Sequence, residues 1–181
     1  VNRAGFEAAL DKGMHHSAAS GIAMALFYLD VDCFKSINDT HGHPCGDALL
    51  RAFAARLTDS VRATDVVARL GGDEFVVIAE NLRSIDDVQS IAEKILQTMR
   101  RPFEVNGVAL SITTSIGVAV FCGEAIEANA LVARADAALY RAKHAGRDRY
   151  EFATGPATEP AANAPAASRD TQSEASEHAF A

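Results

Sequence analysis

A chain of 181 residues, 49% of them apolar, is long enough for one ordinary α/β domain with a buried core. Its 24 Asp and Glu against 17 Lys and Arg leave a net charge of −7, so the molecule as a whole repels DNA, RNA and anionic membrane, and any anionic ligand must be held locally. The longest apolar run, Ile22 to Leu29, falls far short of the roughly 18 residues a membrane-spanning helix needs.

In chain order, Phe6, Ala9, Leu10 and Met14 recur at helical spacing, and Ser20-Gly21 stops that helix. The run Ile22–Leu29 is too uniformly apolar for an amphipathic helix and reads as a buried central strand ending in Asp30. Asp47 to Leu57 carries Leu49, Leu50, Phe53 and Leu57 on one helical face. Val66–Leu70 and Phe75–Ile78 read as two strands of a hairpin joined through Gly71-Gly72, residues that readily supply positive φ. Ile85–Met99 is a helix stopped before Pro102, Ala109–Phe121 one long strand, and Ala128–Lys143 a last helix ending at Gly146. Helix and strand alternate around an antiparallel hairpin, which predicts an α/β (α+β) domain, a mixed central sheet flanked by helices, over residues 1–152. From Ala153 on there is no Ile, Leu, Val or Met, and residues 153–181 read as a disordered Ala/Pro/Ser-rich tail with one Arg against four acids.

Cys33, Cys45 and Cys122 are odd in number and stand in no C-x-x-C spacing, which points to a reducing cytosol rather than a disulfide framework or zinc site. The chain opens at Val1 without an initiator Met or a cleavable leader, as a fragment of a longer protein would. The domain is thus expected in the cytoplasm, and segments missing here could anchor the full-length protein to a membrane.

Chemistry concentrates in two distant segments. One runs from Leu29 through Asp30, Val31, Asp32, Lys35 and Asn38 to Asp39 and continues as Gly42-His43-Pro44-Cys45-Gly46-Asp47; the other is Arg69-Leu70-Gly71-Gly72-Asp73-Glu74-Phe75. A carboxylate ending a buried strand, with two more at a hairpin tip, offers hard oxygen ligands suited to Mg²⁺. Two-metal sites use such clusters to bridge an attacking hydroxyl and a phosphoryl group, so nucleotidyl transfer is the natural reaction class. No G-x-x-x-x-G-K-[ST] loop is present to cradle a triphosphate, which leaves Lys35, Lys143 and Arg147 as candidate phosphate holders.

The string Gly71-Gly72-Asp73-Glu74-Phe75 resembles the signature of the GGDEF-type diguanylate cyclases. Asp30 to Asn38, Gly42-His43 to Gly46-Asp47, Thr114 to Ala119, and Ala135-Asp136 to Ala142-Lys143 followed by Gly146-Arg147 fall in the same family order. The resemblance covers nearly all of residues 1–152 and implies a sheet like that of nucleotidyl cyclases and polymerase palms. The implied activity is condensation of two GTP into cyclic di-GMP with release of pyrophosphate, dependent on Mg²⁺, with Mn²⁺ as the alternative cation. It implies a homodimer, because one domain presents one GTP and the ring needs two facing each other, and an upstream sensor domain in the full-length protein.

Carried over position by position, the resemblance makes Asp30 and Asp73 metal-binding carboxylates, the Val31 carbonyl a further oxygen, and Glu74 a metal ligand or base. The catalytic set is Asp73, Glu74 and Lys35, and the base is Asp73 or Glu74. Lys35 would stabilise charge on the transferring α-phosphate, and Lys143 and Arg147 would hold the outer phosphates. Asn38 and Asp47 match the guanine-reading positions: a carboxylate at Asp47 accepts from guanine N1–H and its exocyclic amine, whereas adenine N1 carries no proton. His43 matches a position beside the nucleotide, and Arg62-x-x-Asp65 resembles the inhibitory site where cyclic di-GMP feeds back. Outside these roles, Asp32 reads as a cap on the next helical turn, His15, His16 and His41 as packing residues, and Cys33 and Cys45 as small buried thiols. The competing functional readings are a catalytically silent receptor for GTP or cyclic di-GMP and a structural domain that binds no nucleotide. Intact Asp30, Lys35, Asp73 and Glu74 favour the enzyme, since silent members of the family usually show losses there.

Overall fold

Every residue of β1 (Ala23–Val31) is buried, because it is the central strand of a sheet covered on both faces. The computed structural model describes residues 1–154. Ahead of β1 comes α1 (Arg3–Ser20), and after it α2 (Phe34–His41) and α3 (His43–Ser60). The hairpin β2 (Val66–Gly71) and β3 (Glu74–Leu82) leads to α4 (Ile85–Met99) and a small hairpin, β4 (Phe103–Val105) and β5 (Val108–Leu110). Then follow β6 (Thr114–Phe121), α5 (Ala128–His144) and β7 (Tyr150–Phe152). The main sheet runs β2-β3-β1-β6-β7, antiparallel except for the parallel pair β6-β7, so the expected mixed sheet flanked by helices is present.

Successive β1 side chains point to opposite faces. Phe27, Leu29 and Val31 pack with Leu49, Phe53 and Leu57 of α3 and with Ala92 and Ile95 of α4. Met24, Leu26 and Tyr28 meet Phe6, Leu10 and Met14 of α1 and Leu131, Ala135 and Leu139 of α5. Two apolar faces erase the period-2 alternation, which is why the strand reads as an unbroken apolar run. Helix α5 lies unusually close to the sheet at Gly117, where a methyl would run into the Ala135 carbonyl and the Leu139 amide. Its C-terminal turn ends in Gly146 at φ +112°, with the Arg147 N–H closing back on the Ala142 carbonyl at 3.1 Å. That close approach and that stop bring Lys143 to the end of β1.

Several boundaries differ from expectation. The stretch Ala109–Phe121 is not one strand: β5 ends at Leu110 and β6 starts at Thr114, while β5 turns back on β4 through Asn106-Gly107, both at positive φ (+51° and +79°). Helix α3 begins at His43, four residues before Asp47, with Pro44 in its first turn where a missing N–H costs nothing. The hairpin turns on Gly72-Asp73, since Gly71 is already paired with Glu74. Helix α2 extends over eight residues where the sequence predicts only a helical turn after Asp32, and strand β7 is additional to the expected elements. Cys45 is buried as expected, but Cys33 is exposed. The Ala153 N–H donates to the Val118 carbonyl at 2.7 Å, continuing the β7 edge past residue 152; of the expected tail over residues 153–181, residues 155–181 lie outside the described residues. Among the described residues no helix is long and apolar enough to cross a membrane.

Candidate active site

The site is assembled at one end of the sheet. Asp30, one residue from the end of β1, is paired in register with Glu74 on one side and Ser115 on the other, so these three side chains share a sheet face. Asp73 sits in the β2-β3 turn, and its carbonyl accepts the Val31 N–H at 3.3 Å. The turn holds its shape because Gly72 takes φ +50°, a conformation glycine adopts without strain, and because Arg69 Nε–H donates to the Gly72 carbonyl at 2.8 Å. Asp73 and Glu74 are half-buried, Val31 is fully buried, and Thr114 Oγ1–H donates to the Asp30 carbonyl at 2.8 Å.

Lys143, 113 residues downstream of Asp30, places Nζ 2.7 Å from Asp30 Oδ2. Burial pushes the Asp30 carboxyl above the ordinary carboxylate range, nearby Asp73 and Asp32 push it further, and Lys143 opposes them. Burial, with the negative charge of Glu74 and Asp136, raises the Tyr28 phenol to about 12, so it stays a neutral donor beside Glu74. Among the described residues no three Asp, Glu, His or Cys side chains are already gathered as a metal cage. The donor set nevertheless suits a hard divalent cation: a buried carboxylate that already draws one positive charge, two further carboxylates at the adjoining turn, and backbone oxygen.

Lys35 is exposed in the first turn of α2, immediately past the β1 tip, where helix N–H groups also point. Asn38 lies one turn further, with its Oδ1 buried and unpartnered against Gly46 of α3. Asp47, next in sequence, is exposed, as is His43 in the first turn of α3. Arg147 is exposed directly after α5 at φ +61°. With no protein partner for this oxygen, Asn38 is held between α2 and α3 by close packing against Gly46. Gly46→Ala tests this: the added methyl meets Asn38 Oδ1 and the Phe34 ring, so Asn38 must swing away. A loss of about 1–2 kcal/mol in stability is expected, read by thermal melting; an unchanged melting temperature would contradict the contact.

Arg62 and Asp65 stand elsewhere. They precede Val66, which pairs with Ile78, whereas Glu74 pairs at the far end of the same strands, roughly 13 Å away along β3 at about 3.3 Å per residue. Asp65 Oδ2 accepts the Arg62 N–H at 2.9 Å, closing a turn that leaves the Arg62 side chain exposed. Burial raises the Asp65 carboxyl above its usual range, with the Arg62 N–H and charge opposing. The native state therefore holds this proton more tightly than an ordinary Asp carboxyl, whose reference value is 3.8. Asp65 should contribute stability below that pH and lose it as pH rises through the folded value. In urea titrations the stability of the native chain relative to Asp65→Asn is expected to fall across that window; a difference independent of pH would contradict it.

Sequence reasoning missed one group. Asp32 is 5% exposed and does not cap α2, whose N-cap residue is Cys33 at φ +57° with no side-chain bond. Its carboxylate instead takes the hydroxyls of Thr113 and Ser115 and the backbone N–H of Asp148. The only signal in the sequence was its place two residues from Asp30.

The family model described as "Diguanylate cyclase, GGDEF domain" matches residues 1–149. Diguanylate cyclase DgcP of Pseudomonas aeruginosa is 42% identical over 154 residues, 84% of this chain and 22% of that protein. The bifunctional diguanylate cyclase/cyclic di-GMP phosphodiesterase MucR of the same organism is 37% identical over 151 residues, 83% of this chain and 22% of that protein. The crystal structure of the GGDEF domain of TpbB (YfiN) from Pseudomonas aeruginosa superposes with a TM-score of 0.82 at 36% identity, covering 86% of this chain and 97% of that one. The chain thus spans about a fifth of the length of these two curated relatives.

Proposed function

This chain belongs to the diguanylate cyclase GGDEF-domain family, and from that membership we propose that it is an active enzyme joining two GTP into cyclic di-GMP. Asp30, Asp73, Glu74 and the Val31 carbonyl would hold Mg²⁺, or Mn²⁺ in its place, and the bound ion would neutralise charge on the triphosphate and polarise the attacked phosphorus. Asn38 and Asp47 read guanine, with His43 beside the nucleotide. Lys143 and Arg147 hold the outer phosphates, and Lys35 meets charge growing on the α-phosphate. The 3′-hydroxyl of one GTP attacks the α-phosphorus of the other; the O3′–Pα bond forms and the bond to the β-phosphate bridge breaks, releasing pyrophosphate. The hydroxyl proton passes to the hairpin acids, Asp73 or Glu74. The same exchange in the opposite sense closes the ring, so two domains must face each other as a dimer.

The observation that carries this reading is the in-register pairing of buried Asp30 with Glu74, with the Lys143 ammonium already on Asp30. That ion pair supports a shared role for Lys143: it compensates Asp30 and would be released to phosphate once another cation takes its place. Cyclic di-GMP bound at Arg62 and Asp65, on the remote end of the hairpin, would act as a feedback inhibitor. Incubation of the purified chain with GTP and Mg²⁺, followed by chromatography, is the test. Cyclic di-GMP and pyrophosphate are expected, at a rate per chain that rises with chain concentration. Retained GTP binding with no product at high concentration would mark a silent receptor instead.

A further inference from the structure

Asp32 is buried beside the expected metal-binding residue and is fully engaged without touching any group assigned to substrate. Its Oδ1 accepts from Ser115 Oγ at 2.7 Å, its Oδ2 from Thr113 Oγ1 at 2.6 Å and from the Asp148 N–H at 3.2 Å, and its own N–H donates to the Thr113 carbonyl at 3.0 Å. Asp148 is gripped from its other side. Arg100, at the end of α4, sets Nε 2.9 Å from both Asp148 carboxylate oxygens and Nη2 3.2 Å from its carbonyl.

The segment so clamped is strained. Gly146, Arg147 and Asp148 run at φ +112°, +61° and +49°, and the last two are not glycine. Left-handed backbone is unfavourable for residues that carry a Cβ and persists only where the surroundings over-determine it. Here the overdetermination is visible: the Arg147 N–H is fixed to the end of α5, and Asp148 is fixed to β1 through Asp32 and to α4 through Arg100. Arg147 therefore leaves the backbone at a point tied directly to the strand end that carries Asp30.

We propose that Asp32, working with Arg100 through Asp148, is a positioning residue that sets the Arg147 guanidinium for a triphosphate. The inference rests on the reading of Arg147 as a phosphate-holding residue. It differs from a general stabilising role in one respect: removing Asp32 should erase what Arg147 contributes, not merely weaken the fold.

The test is a double-mutant cycle read by binding of a non-hydrolysable GTP analogue with Mg²⁺, which needs no turnover. Arg147→Ala and Asp32→Asn should each weaken binding about tenfold, the loss typical of removing a group or its orienting partner. Arg147→Ala added to Asp32→Asn should cost less than about threefold more. Arg100→Gln leaves β1 untouched, serves if Asp32→Asn folds poorly, and should show the same coupling to Arg147→Ala. Equal effects of Arg147→Ala in every background would overturn the positioning role while leaving Arg147 as a phosphate ligand. No effect of Arg147→Ala in the native chain would overturn it through its premise. Tight, coupled binding without cyclic product would uphold it while sinking the enzymatic reading alone.

Discussion

Asp30→Asn is expected to lower cyclic di-GMP formation by about three orders of magnitude while the domain stays folded. Removing one charged oxygen from a cation site costs several kcal/mol of transition-state stabilisation, and about 4 kcal/mol corresponds to a thousandfold. Stability should move differently. Breaking a buried ion pair usually leaves a costly unpaired charge, but the Lys143 side chain is 31% exposed and can be rehydrated. Asp30 itself is held above the normal carboxylate range by its own burial, so its ionised form is a burden on the native state that the neutral amide lifts. Product formation by chromatography and a thermal melt on the same preparation check both halves. A variant that loses activity and melts many degrees lower would mean that Asp30 is structural.

Gly117→Ala is expected to be the most destabilising glycine-to-alanine change among the described residues. The new carbon meets backbone atoms of α5, the Ala135 carbonyl and the Leu139 amide, which no rotamer change can move. Helix α5 must lift from β6, at a cost of about 3 kcal/mol or more, which for a domain of this size lowers the melting temperature by roughly 6–12 °C. Because α5 delivers Lys143, residual folded protein should also bind GTP more weakly. Gly72→Ala is the control: nothing lies within 4 Å of its added carbon, so only its φ of +50° is penalised, by about 1 kcal/mol. Equal melting temperatures for the two variants would refute this packing account.

These contrasts follow from what the sequence does and does not encode locally. The central strand was legible because a strand covered on both faces is apolar throughout, and the hairpin because Gly71-Gly72 separates two short β-rich runs. Helix α2 was not: it is eight residues of mostly polar sequence started by a left-handed Cys33, and α3 holds it in place. The break between β5 and β6 was hidden because Val108–Leu110 and Thr114–Phe121 are both apolar and nearly contiguous, although Asn106-Gly107 carried a hairpin signal. Strand β7 is three residues long and exists only by pairing with β6.

The site divides the same way. Asp30, Asp73 and Glu74 could be picked out because acids ending strands and turns are conspicuous. The Lys143–Asp30 pair spans 113 residues and depends on how α5 settles at Gly117, which no local pattern records. Asp32 was misassigned because its partners come from the start of β6 and the loop after α5, and a lone acid before a helix looks like a cap.

Asp30 and the hairpin acids are expected jointly to seat a divalent cation against GTP. The most direct test is Mn²⁺ binding followed by electron paramagnetic resonance, with a non-hydrolysable GTP analogue, on the native chain and on Asp30→Asn and Glu74→Gln. The structure predicts a protein-bound Mn²⁺ signal whose affinity falls at least about tenfold in each variant. Undiminished binding in both would contradict it.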